Sequence, residues 1–267
     1  MTRVEAALRR QRALTIAALA LLTLLAWGWL LLGAGMGMAP RAALHLLPTA
    51  SPGRMTGMAM PMAPAGWSAA ELLLAVSMWW VMMLAMMLPA AAPVILLYAR
   101  AGAAQRAAPA RPGWFLAGYL AVWGLFSLAA AILQDGLQRL GVLTPVTMEA
   151  SARWLAAAIL VAAGLYQLSP LKEACLARCR NPGSFLSRHY RPGPLGALRM
   201  GAVHGAFCLG CCWLLMALLF VGGVMNLAWI ALLSLLVASE KLLPGGRLIG
   251  IAAGLGFIGW GALVAFL

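Results

Sequence analysis

The sequence predicts an all-α protein: a polytopic helical membrane protein with about seven transmembrane helices, N-terminus in and C-terminus out. Three observations predict it. Of 267 residues, 64% are hydrophobic and only 9% charged, with a mean hydropathy of +0.93. Soluble domains are nearer half apolar and about a quarter charged. Apolar runs of about twenty residues, the length that spans a bilayer, recur along the chain. Lys and Arg fall mainly in the short segments between those runs, where they set topology.

The chain opens with Arg3, Arg9, Arg10 and Arg12, then an apolar run from Ala13 to Leu32. That run is longer than the roughly 7–15 apolar residues of a signal peptide, so a retained first helix is expected. Residues 36–66 are rich in Pro, Gly and Met, with no helical period. The second span covers about 71–98, and Pro89 and Pro93 should kink it and free carbonyls that then need partners. A basic loop with Arg100, Arg106 and Arg111 leads to a third span at about 113–134. A short loop holding Asp135 and Glu149 precedes the fourth, about 153–170. A second basic loop, 171–199, carries Lys172, Arg178, Arg180, Arg188, Arg191 and Arg199. The fifth span is about 200–221, the sixth about 225–240 and, after Pro244-Gly245-Gly246, the seventh about 247–267.

With the N-terminus inside, 15 of the 19 Lys/Arg face the cytoplasm, all but Arg41, Arg54, Arg139 and Arg153. The positive-inside rule favours that orientation in a bacterial inner membrane. Three regions follow: 1–35, a basic segment and first helix; 36–70, an extracytoplasmic Met-rich segment; and 71–267, a six-helix membrane domain. The net charge of +13 does not imply nucleic acid, because no basic stretch is interleaved with surface aromatics. An odd set of five cysteines, all in the C-terminal half, is not a disulfide framework and fits metal binding or thiol chemistry better.

The most informative stretch is His204-x-x-x-Cys208-x-x-Cys211-Cys212 inside the fifth span, with Met216 one turn on. Residues four and seven apart share a helix face, so His204, Cys208 and Cys211 project within a sector of roughly 60°, with Cys212 beside it. Sulfur with imidazole suits copper(I) and zinc. Small apolar cysteines also pack well between helices, but three with a histidine in nine residues favour ligation.

On the second span, Met78, Met82 and Met86 form one stripe and Met83 and Met87 another. Thioethers suit copper(I) and not zinc, although methionine is also a common core filler. Outside the spans, Met36, Met38, Met55, Met58, Met60 and Met62, with His45 between, read as a capture segment or as low-complexity linker. In the second basic loop, Cys175 and Cys179 share one face of a short helix. Lys172, Arg178 and Arg180 beside them would favour thiolate, making a cytoplasmic acquisition or release site. Glu240-Lys241 ends the sixth span, where Glu240 pairs with Lys241 or another span, or is solvated.

Several motifs together carry a family resemblance: W-x-VMMxAMMLP-x-x-x-P (Trp79 to Pro93), Y-x-L-x-PLK-x-x-C-L-x-x-CR-x-P (Tyr166 to Pro182) and G-x-x-x-G-x-x-C-x-GCCW-x-LM (Gly201 to Met216). G-x-MN-x-x-W (Gly223 to Trp229) and EKL-x-P-x-G (Glu240 to Gly246) complete them. The chain closely resembles the predicted metal-binding integral membrane protein family, long catalogued as a domain of unknown function. Some members are called copper chaperones, and one branch is linked to copper loading of a bacterial tyrosinase. The resemblance covers about residues 70–250. It implies metal binding through the matched cysteines and methionines.

The expected function is a copper(I)-binding membrane protein that passes copper to a cuproprotein client, with zinc as the other candidate metal. A copper transporter or efflux component would use the same residues. A membrane thiol-disulfide oxidoreductase would use Cys208-x-x-Cys211. Hydrolase, phosphate-loop and zinc-protease motifs are absent from the sequence, so no enzyme activity is expected apart from that minor thiol alternative.

Overall fold

The computed structural model describes residues 3–33, 66–104, 112–144 and 148–266. The methionines at 36, 38, 55, 58, 60 and 62, with His45, lie outside the described residues. Among the described residues the secondary structure is helical, apart from one antiparallel bridge between Leu143 and Ala150. In chain order the helices are α1 (Arg3–Leu31), α2 (Ala69–Ala104), α3 (Pro112–Arg139), α4 (Arg153–Gln167), α5 (Pro170–Arg180), α6 (Pro182–His189), α7 (Gly193–Ala217), α8 (Leu219–Gly222), α9 (Leu227–Leu242) and α10 (Gly246–Phe266).

Five segments are long and apolar enough to cross a membrane: Arg10–Leu31, Ala69–Arg100, Pro112–Arg139, Gly193–Gly222 and Gly246–Phe266. Counting the bent pair α4 and α5 as one span makes six, not the seven expected. The difference lies in the fourth and sixth spans. Helix α4 has 15 residues and α9 has 16, about 24 Å or less at 1.5 Å per residue, against a hydrocarbon core of roughly 30 Å.

Helix α4 stops where its sequence dictates. Ser169 precedes Pro170 and is extended (φ −77°, ψ 146°), its side chain caps the Lys172 N–H, and Pro170 opens α5. The chain bends by 61° there. Helix α9 is bounded by Asn226, whose side chain accepts from the Ala228 and Trp229 amides, and by Pro244. The turn into α9 passes through Gly223 at φ +93°, a conformation side chains resist. The basic loop expected at 171–199 is instead largely helical, as α5, α6 and the start of α7.

Helix α2 runs unbroken through Pro89 and Pro93. Pro89 has no N–H for the Ala85 carbonyl, and the Trp27 indole of α1 donates to that oxygen at 3.2 Å. The Ser234 hydroxyl of α9 donates to Met86 O at 3.4 Å, and the Tyr119 hydroxyl of α3 reaches Met87 O at 3.3 Å. Three neighbouring helices thus donate to successive carbonyls at the proline-interrupted turn.

Helix α3 lies closely on α7, α4 on α10, and α2 against α1, α3 and α9. The α3–α7 contact depends on small residues. A Cβ on Gly118 would stand 1.9 Å from Leu198 O, and one on Gly201 would stand 1.8 Å from Phe115 O. Backbones approach that closely only where side chains are absent, as in small-residue packing between membrane helices. The same contact sets Tyr119 of α3 opposite the cysteine face of α7.

Candidate metal centre

Helix α7 buries His204, Cys208, Cys211, Cys212 and Met216, none more than 2% exposed. Methionines 78, 82, 83, 86 and 87 of α2 are completely buried. Helices α2 and α7 meet here through side chains: the Cys212 thiol lies 3.9 Å from the Met87 sulfur. Met87 thus brings an α2 thioether to the cysteines.

Within α7 the thiols of Cys211 and Cys212 donate to one carbonyl, Cys208 O, at 3.0 and 2.9 Å. This backward bonding follows from helix geometry, which points side chains toward the preceding turn. As arranged, no three His, Cys, Asp or Glu side chains among the described residues converge on a single metal position.

The sequence placed Cys175 and Cys179 in a separate cytoplasmic loop. The structure folds that segment, as α5, along α7. Cys179 lies beside Cys211, and the Cys175 sulfur lies over Gly210, 2.9 Å from where a Cβ would stand. All five cysteines are free thiols within one region of the fold. The flanking cations do not serve the α5 cysteines as expected. Lys172 is ion-paired with Glu240, Arg178 sits over the Phe207 ring at 5.6 Å, and Arg180 donates to Leu243 O and Pro244 O.

His204 occupies a different setting from the thiols one turn along. Its ring lies among Phe115, Tyr119 and Phe185, with centroids 6.1, 5.8 and 5.2 Å away. Its Nδ1 is buried without a hydrogen-bond partner. An unpaired buried imidazole nitrogen is costly and retains its capacity to ligate.

Two further groups stand at the centre: Tyr119, which was not singled out from the sequence, and Lys241, which was noted there only beside Glu240. Tyr119 Oη is 3.1 Å from Cys208 Sγ, and Lys241 Nζ is 3.0 Å from the same sulfur. Lys241 is buried and points away from its neighbour Glu240. The Glu240 carboxylate takes one bond from Lys172 Nζ at 2.6 Å and one from Gln167 Nε2 at 2.6 Å. Lys172 also donates to Gln167 Oε1. Glu240 and Lys241 are therefore neither paired with each other nor solvated, as adjacent residues on a helix diverge by about 100°. A cavity of about 530 Å³ opens beside this network, between the α4–α5 bend and the start of α10, lined by Gln167, Ser169, Lys172, Glu173 and Arg247 among others. The signal available in sequence was the charged residue itself: Lys and Glu next to apolar runs are costly unless partnered.

The helical fold brings together free thiols, thioethers and an imidazole, donor types that suit a soft metal ion. The comparison with known families agrees. Residues 76–264, more than two thirds of the chain, match the PpoB2 family, described as copper chaperone, and the chain belongs to that family. No curated protein and no solved structure matches it significantly.

Proposed function

We propose that this protein is an integral membrane copper(I) carrier that delivers the ion to a cuproprotein client. The observation that carries the reading is the meeting of Met87 on α2 with Cys212 on α7, beside Cys208, Cys211 and Cys179. Thioether and thiolate together favour copper(I) over zinc. In this reading the extracytoplasmic methionines 55, 58, 60 and 62 capture copper. The buried face of Met78, Met82, Met83, Met86 and Met87 conducts it, and His204, Cys208, Cys211, Cys212, Met216 and Cys179 hold it, with Cys175 at the margin. Soft ligands about one helical turn apart permit exchange from donor to donor without release to water.

The five apolar segments support membrane insertion. Counting α4 and α9 as short spans gives seven, with the N-terminus in the cytoplasm of a bacterial inner membrane, as the Lys/Arg distribution favours. The test is metal content of the purified protein by mass spectrometry, with copper(I) competition against a chelator. Stoichiometric copper that disappears in Cys208→Ser/Cys211→Ser supports the reading, and absence of copper from wild type sinks it. Zinc in its place points to zinc handling.

A second reading, thiol–disulfide exchange, draws on the Cys179–Cys211 contact between α5 and α7. It requires a Cys179–Cys211 disulfide under mild oxidation and mixed disulfides with a partner, both visible by trapping and mass spectrometry.

A further inference from the structure

Lys241 is buried, and its hydrogen bond goes to the sulfur of Cys208. The ion pairs among the described residues are Asp135–Arg139, Lys172–Glu240 and Arg247–Glu173, and none includes Lys241. The nearest candidate in sequence, Glu240, is turned to Lys172 and Gln167. The groups at Lys241 are instead thiols and the Tyr119 hydroxyl, which itself reaches Cys208. A lone ammonium inside a packed helical bundle is expensive, and such a residue marks a site whose partner should be named.

We infer that Lys241 is the resident counter-cation of the thiol cluster, and that its charge makes the cluster select copper(I) over a divalent ion. This rests on the copper reading above. Copper(I) held by two cysteines is an anion: two S–H bonds break, two S–Cu bonds form, two protons leave to water, and the complex carries one negative charge. One ammonium 3.0 Å from a ligand sulfur neutralises it. A divalent ion on the same two thiolates is already neutral, so Lys241 would remain an uncompensated buried charge beside it. Charge balance in a poorly solvated site thus favours the monovalent ion by one full charge. Tyr119 assists without altering the sum, because its hydroxyl can turn from Met87 O to the Cys208 sulfur.

The experiment compares wild type, Lys241→Met and Lys241→Arg as full-length protein in detergent, with copper(I) and zinc(II) affinities measured by chelator competition. The expected result is a copper(I) affinity lowered about 30-fold or more in Lys241→Met, since removing one partner of a buried charge pair costs at least about 2 kcal/mol. Zinc affinity stays level or rises, and Lys241→Arg retains most of the copper affinity. Copper(I) binding within threefold of wild type in Lys241→Met overturns the inference, as does an equal loss of both metals. Wild-type protein that binds no copper(I) removes the parent reading as well, which separates the two failures. Should the methionine variant not fold, proton release on copper(I) loading of wild type decides: two protons per copper agree with the charge balance, and three contradict it.

Discussion

The Lys172 ammonium of α5 lies 2.6 Å from the Glu240 carboxylate of α9, with side-chain exposures of 3% and 2%. Gln167 of α4 bonds to both. Three helix ends are thereby tied at a single polar knot, next to the step that carries Lys241 to Cys208. The tie joins the bent α4–α5 unit to α9 and keeps α5, with its two cysteines, against α7.

Breaking this pair on one side should be severe. Glu240→Gln or Lys172→Met leaves the partner buried and uncompensated, at a cost of about 3–5 kcal/mol. Thermal unfolding in detergent should show a large fall for each single variant. The Lys172→Met/Glu240→Leu double variant should recover much of it, because the cost belongs to the orphaned charge. Additive losses in the double variant would contradict the role given to the pair.

Cys179 and Cys175 should behave differently. Cys179 lies beside Cys211, whereas Cys175 packs over Gly210. Cys179→Ser is expected to weaken copper(I) binding and Cys175→Ser to leave it nearly unchanged. Competition titrations of the two variants check this, and a larger effect at Cys175 would argue against the merged site.

Met87→Leu keeps apolar volume but removes the thioether facing Cys212. A volume-conserving swap of this kind costs under about 1.5 kcal/mol in stability. Copper(I) affinity should fall while the unfolding temperature hardly moves. Unchanged copper(I) affinity would return Met87 to a packing role.

The α3–α7 contact should tolerate no added methyl. Gly201→Ala must push its Cβ onto the Phe115 carbonyl, so the helices separate and about 1–3 kcal/mol or more is lost. Gly28→Ala on α1 has nothing within 4 Å and is the matched control, expected to be neutral or to gain about 0.5–1 kcal/mol from helix propensity. Equal unfolding temperatures for the two variants would refute the close-packing account.

The donor supplied to α2 at its proline should also be measurable. Trp27→Phe removes the indole that satisfies Ala85 O and should cost about 0.5–1.5 kcal/mol. Hydrogen exchange in α2 near Pro89 should rise with it, and unchanged exchange would leave that carbonyl satisfied by another route.

The sequence by itself determined the helical character, most helix positions and the identity of the soft-ligand residues. These properties are local: apolar run length, 3.6-residue periodicity, and side-chain chemistry that no fold alters. Pro89 could be read as freeing a carbonyl, but not that Trp27, from a helix far along the chain, would be its donor. The lengths of the fourth and sixth spans were not legible, because a run of apolar residues does not reveal that Ser169-Pro170 bends the chain or that Asn226 and Pro244 cut α9 short. Tertiary structure alone decided that Cys179 joins the α7 cysteines and that Lys172 and Glu240 find each other. It likewise decided that Lys241, which looked like a topology-setting charge at a membrane edge, faces a thiol. Each of these contacts joins residues at least 32 positions apart. Which helix faces meet is settled by packing over the whole bundle, above all by the glycines that let α3 and α7 touch, and only that packing brings the charges and sulfurs within bonding distance.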